Sequence, residues 1–144
     1  MSNYLYEHQD IIRPAVDYVE LIASPLKHIH IPVFRGVILS KLKKNTDFLI
    51  SLASDIYRME KAEYKTHLQG FQFKSGATIS FGVIHDEMDV LRYGGFAINY
   101  LGLYGANDFT DFQLIYLLSR SSSYCMKPYA LAYESSSESP FESQ

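Results

Sequence analysis

The chain has 144 residues, room for one ordinary domain, so a function that needs two full domains is excluded. Hydrophobic residues at 47% and charged residues at 20% are the proportions of a chain that folds around a core, which excludes disorder throughout. The formal net charge of −3 is unevenly spread: residues 27 to 65 hold eight Lys or Arg against four acids, while ESSSESPFESQ at the end holds three Glu and no base.

No apolar run approaches the roughly 20 residues needed to cross a bilayer, so no membrane span is expected. The start, MSNYLYEHQD, lacks the basic and apolar regions of a secretory signal, and a cytoplasmic setting is the expectation. The single cysteine, Cys125, has no partner for an internal disulfide, which fits a reducing compartment. Its phrase contains no neighbouring His, so a nucleophilic role is not expected.

In chain order, Ile12, Ala15, Val16, Val19 and Ile22 recur at spacings of three and four, predicting a helix over residues 10–23 with Pro14 near its first turn. Val33–Leu39 (VFRGVIL) is short, β-branched and nearly unbroken in apolarity, as a strand covered on both faces should be. Asn45 is placed to cap a helix carrying Phe48, Leu49, Leu52, Ala53, Ile56 and Tyr57 through Arg58. Phe71–Phe73 and Thr78–Val83 read as a hairpin turned at Lys74-Ser75-Gly76-Ala77, where Gly76 supplies a positive φ. A short helix over Asp86–Tyr93, a buried strand Phe96–Tyr104, a helix Phe109–Arg120 and a last strand Pro128–Tyr133 follow. Helices alternating with doubly apolar strands predict an α/β fold with a mostly parallel sheet and the β-hairpin as an antiparallel insertion. In such sheets chemistry gathers on loops after the strands, here those following Leu39, Tyr104 and Tyr133.

The phrases HIHIPVFRGVIL (28–39), FQFKSGATISFG (71–82), RYGGFAINYLGL (92–103), FTDFQLIYLLSR (109–120) and CMKPYALA (125–132), in this order and spacing, resemble the ATPase domain of the large terminase subunit of tailed bacteriophages, the viral DNA-packaging motor. The likeness covers about residues 27 to 134. It implies a three-layer P-loop ATPase-like domain, truncated here, over residues 1–133, while the Ser and Glu content of 134–144 leaves nothing to bury and predicts a disordered acidic tail. It also implies the cytoplasm of a phage-infected or prophage-bearing bacterium.

The chemistry that the resemblance implies for the family needs a Gly-rich loop whose amides wrap phosphate and a Lys to neutralise it. No glycine precedes Gly36, nothing matches G-x-x-x-x-G-K-[ST], and residues 8–13 cannot form that nest. Where the family carries Asp-Glu for Mg²⁺ and the attacking water stand Tyr104 and Gly105. Asp108 is a weak substitute, with a helix cap as its simpler role. Ser40 and Lys41 stand where relatives carry paired arginines, and Tyr133, Ser135 and Ser136 where relatives sense nucleotide state. Lys41, Lys43, Lys44 and Arg120 remain as candidate phosphate or DNA contacts, Arg120 also suiting the dipole at a helix C-terminus.

His28 and His30 share one side if that segment is extended, but no third zinc ligand is near. His85, Asp86, Glu87 and Asp89 gather acids at a helix start, for which the dipole is the simpler account. Twelve Tyr and nine Phe could stack bases, yet most fall on apolar stripes and read as core. No metal site and no cofactor is expected, although the family uses ATP and Mg²⁺. The reading is a non-catalytic, terminase-like protein whose partners are terminase subunits, the portal or DNA. The alternatives are a terminase ATPase subunit completed by another chain and a small protein-interaction module using the scaffold only. A truncated sheet would leave an apolar edge open to self-association.

Overall fold

Val37 and Leu39 are buried on one side of a strand and Ile38 on the other, so the strand must lie within a sheet that has helices on both faces. The computed structural model describes residues 12–95, 97–121 and 127–131 and has this three-layer arrangement. One sheet runs in the order β1-β7-β6-β2-β5-β4-β3, with β1 (Arg13–Pro14), β2 (Arg35–Ser40), β3 (Glu63–Lys65), β4 (Gly70–Gln72), β5 (Thr78–Val83), β6 (Tyr100–Tyr104) and β7 (Tyr129–Leu131). The strands from β1 to β5 in that order are parallel, and β4 and β3 continue the sheet antiparallel, as the sequence predicts for the hairpin. The hairpin turns at Gly76, whose φ of 104° a side chain would resist.

Helices α1 (Tyr18–Ala23) and α2 (Lys43–Ile56) cover one face. Their core is rich in rings: Phe34, Tyr57, Phe71, Phe73, Phe81, Tyr100, Tyr104 and Tyr129. The other face is covered by α3 (Asp111–Arg120) and the 3₁₀ segment Glu87–Tyr93. Its core is mostly aliphatic, with Tyr93 and Phe109 among Val37, Leu39, Leu101, Leu103, Leu114 and Leu117.

Several expectations change. The helix predicted over 10–23 is confined to Tyr18–Ala23, and Pro14 lies in a strand. Arg13 and Ala15 donate to the carbonyls of Pro128 and Ala130 at 2.8 and 2.9 Å, so proline, which has no N–H, occupies the position whose nitrogen faces away from β7. Val16, counted in the helical stripe, is 80% exposed. Val33 is exposed as well, and β2 begins at Arg35.

Asn45 does not cap α2. It lies buried inside the helix, whose N-cap is Leu42. The turn into α2 is stabilised by Ser40, whose hydroxyl accepts from the Leu42 amide at 3.3 Å and lies 2.8 Å from the Thr46 hydroxyl, which donates to the Gly82 carbonyl at 3.0 Å. His28 ends a 3₁₀ turn, Ser24–His28, instead of lying in an extended segment, and its ring stacks on Phe34. β6 starts at Tyr100, later than predicted, after a single bridge between Ile98 and Ser121. Strand β3 has no counterpart in the sequence reading. The described sheet edges present Arg13 and Pro14 at one side and Glu63, Tyr64 and Lys65 at the other.

Candidate functional site

The parallel strands end along one edge, where an α/β sheet gathers its loops. At the end of β1, residues 15–17 lead into α1. The Asp17 carboxylate accepts from the Glu20 amide at 2.8 Å, and Glu20 Oε1 accepts from the Val16 amide at 2.6 Å. The Asp17 carboxylate thus caps α1 while that of Glu20 turns back to the segment before it, so two carboxylates stand at the helix start, where an incoming anion would otherwise bind.

At the end of β6 the Tyr104 ring is buried in the aromatic core. Gly105 follows in the left-handed region, φ 69° and ψ 44°, and its amide donates to the Leu131 carbonyl at 2.7 Å. Neither residue brings a carboxylate to the edge. Asp108 is exposed at the end of a 3₁₀ turn, Ala106–Asp108, and does not cap α3. Thr110 does, its hydroxyl accepting from the Gln113 amide at 3.2 Å while Gln113 Oε1 accepts from the Thr110 amide at 3.0 Å.

The sequence reading does not include Gln113 in this edge, yet the residue is completely buried there. Lys41, just past β2, donates to Gln113 Oε1 at 3.2 Å and lies 5.7 Å above the Phe109 ring. The Gln113 amide group donates in turn to the Asp86 carbonyl at 3.4 Å, and the Thr110 hydroxyl bonds to Glu87. Loops after β2, β5 and β6 are thereby joined by neutral amide, ammonium and carboxylate groups. The sequence does carry one signal for part of this, the capping-box spacing Thr110-x-x-Gln113.

The remaining candidates do not converge. Lys43 pairs with Asp47 on the surface of α2 at 2.7 Å, and Lys44 is exposed beside it. Arg120 lies at the opposite, amino edge of the sheet: its carbonyl accepts from Ile98, which precedes β6, and its guanidinium sits 5.1 Å over the Tyr116 ring. The acids after β5 satisfy their own backbone, with Asp89 Oδ2 accepting from the amides of His85 and Asp86 at 2.8 Å. The Asp86 amide, then that of His85 and the charge of Arg92, holds the Asp89 carboxyl below its ordinary range. Among the described residues no three His, Cys, Asp or Glu come together as a metal site, and no helix is long and apolar enough to cross a membrane. Cys125, Tyr133, Ser135 and Ser136, and residues 8–11 of the stretch 8–13 where the resemblance would place a phosphate nest, lie outside the described residues.

No protein-family model matches the chain, and no curated protein matches it. A solved structure does: the large terminase from a thermophilic bacteriophage superposes with a TM-score of 0.63 over 83% of this chain, at 11% identity. The matched region shares its fold with that phage large terminase. The terminase-like chain spans about a third of that phage protein, 32% of its length. The large terminase ATPase domain of Thermus phage P74-26, in an arginine-to-alanine mutant, matches at a TM-score of 0.49 and 7% identity over 80% of this chain and 52% of that one.

Proposed function

We propose that this terminase-like chain does not hydrolyse ATP and serves a DNA-packaging assembly as a binding component, engaging terminase subunits, the portal or DNA through its scaffold. The observation that carries the reading is the carboxyl edge itself. The start of α1 carries the carboxylates of its cap, Asp17, and of Glu20, and the end of β6 offers a buried phenol and a glycine where the resemblance places Asp-Glu. A triphosphate approaching α1 meets two like charges, and Mg²⁺ finds no acid at the end of β6 to hold it.

The test is an ATP titration of the purified chain with and without Mg²⁺, alongside a phosphate-release assay. No Mg²⁺-dependent binding and no turnover are expected, with recovery of terminase or portal protein in a pull-down. Turnover that Asp108→Ala abolishes would overturn the reading in favour of an active subunit.

A further inference from the structure

A cavity of about 450 Å³ lies on the face of β2 and β5 turned away from α1 and α2. Its floor is Val37 and Ser80, which the parallel register sets side by side. Its walls come from elsewhere in the chain: Arg35 at the start of β2, His67 in the 3₁₀ turn Thr66–Leu68, and Arg92 and Tyr93 at the end of the segment Glu87–Tyr93. None of Ser40, Lys41, Tyr104 or Gly105 lines it, so it is separate from the carboxyl-edge network.

The walls are held in place. The Arg35 amide donates to Asn99 Oδ1 and its carbonyl accepts from the Asn99 amide, both at 2.8 Å. Tyr93 is buried, and its hydroxyl lies so near Gly82 that a methyl group there would overlap it. Gln69, beside His67, adopts the left-handed region at φ 50°, which is costly for a residue with a side chain, and its carbonyl accepts from Phe81 on β5 at 2.9 Å.

The described residues that line it bring two guanidinium groups, an imidazole and several hydroxyls, and none of them is a carboxylate. Arg92 lies 3.7 Å from Asp89 and its guanidinium 6.0 Å over the Tyr93 ring, contacts that engage part of a group with five N–H donors. We infer that the cavity binds a small organic phosphate, a phosphomonoester, with Arg35 and Arg92 on the phosphoryl oxygens and the organic body against Val37 and Tyr93. Arginine forks match phosphate geometry, and a dianionic group with three oxygens uses more of these donors than a carboxylate can. The volume falls within the range of small-ligand pockets and well exceeds a bare phosphate ion.

The experiment is an NMR titration of the full chain, without Mg²⁺ or nucleotide, so that its outcome is independent of the ATP test. Ribose 5-phosphate is expected to shift the amides of Ser80, Gly82 and Tyr93 and to saturate, while ribose does not. Arg35→Gln and Arg92→Gln, both at exposed positions, are each expected to weaken binding at least about tenfold, and the exposed Lys27→Gln to leave it unchanged. The inference is overturned if ribose 5-phosphate gives no shift up to about 10 mM, or if ribose shifts the same amides equally. Inorganic phosphate binding as tightly as ribose 5-phosphate would remove the organic body. Displacement by a single-stranded oligonucleotide without terminal phosphates, at lower concentration, would make the surface one for nucleic acid.

Discussion

Six residues make α1 too short to persist on its own hydrogen bonds, and the last carbonyls of a helix have no partner within it. Two are taken by tyrosines from other elements. Tyr57 donates to the Ile22 carbonyl at 2.7 Å and Tyr100 to the Leu21 carbonyl at 2.5 Å, both out of contact with water. Tyr57→Phe or Tyr100→Phe keeps the ring and leaves a buried carbonyl without its donor, at an expected cost of about 1–3 kcal/mol each. For a domain of this size, about 2 kcal/mol lowers Tm by about 4–8 °C.

A second signature follows from titration. Burial raises both phenols well above the ordinary 10.0, with neighbouring Tyr57 and Tyr129 adding to the rise at Tyr100. The folded chain therefore keeps protons that the unfolded chain releases. The stability tied to them is complete below the unfolded value and is lost as pH climbs above it, at about 1.4 kcal/mol per pH unit for each tyrosine. Urea unfolding at pH 7 and in steps from about pH 9.5 to about pH 11.5 reads both effects. The deficit of each Phe variant at neutral pH should shrink as the solution becomes alkaline, because the wild type has one more phenol to lose. Equal midpoints at pH 7, or curves that fall in parallel at high pH, would refute the reasoning.

Gly82→Ala should lose about 1–3 kcal/mol from overlap with the Tyr93 hydroxyl and with Leu39 Cδ2 at 3.0 Å, and Tyr93→Phe in the same chain should recover part of it; a four-member denaturation cycle measures the coupling. Thr46→Val removes a buried hydroxyl joining α2 to Gly82 and Ser40 and is expected to cost about 1–3 kcal/mol, whereas the exposed Lys43→Gln should change the urea midpoint by no more than about 0.5 kcal/mol equivalent. Asp17→Ala should cost about 1 kcal/mol through loss of the α1 cap and Asp17→Asn much less; equal losses would show that capping is not what Asp17 contributes.

The central strands are legible because their apolar runs have no polar face: Val37, Ile38 and Leu39 admit only a covered strand. The first helix is overdrawn because a short strand followed by a short helix happens to space Ile12, Ala15, Val19 and Ile22 as one stripe. The better signal is Asp17 three residues before Glu20, which marks where the helix starts. Strand β3 leaves no signal, since a three-residue polar edge strand has no alternation to detect. At the carboxyl edge, Tyr104 and Gly105 can be read from position alone, but the burial of Gln113 cannot, because it depends on loops from β2, β5 and β6 meeting in space. The cavity lined by Arg35, His67, Ser80 and Arg92 is illegible for the same reason, its residues being far apart in the chain.

The uneven division of rings between the two cores gives the molecule an optical asymmetry. There is no tryptophan, so near-ultraviolet circular dichroism arises from tyrosine and phenylalanine, and most of the buried rings described lie on the α1 and α2 side of the sheet. That spectrum will therefore track the order of one layer, while methyl resonances of Leu101, Leu103, Leu114 and Leu117 track the other, and comparing the two during unfolding will reveal whether the layers melt together.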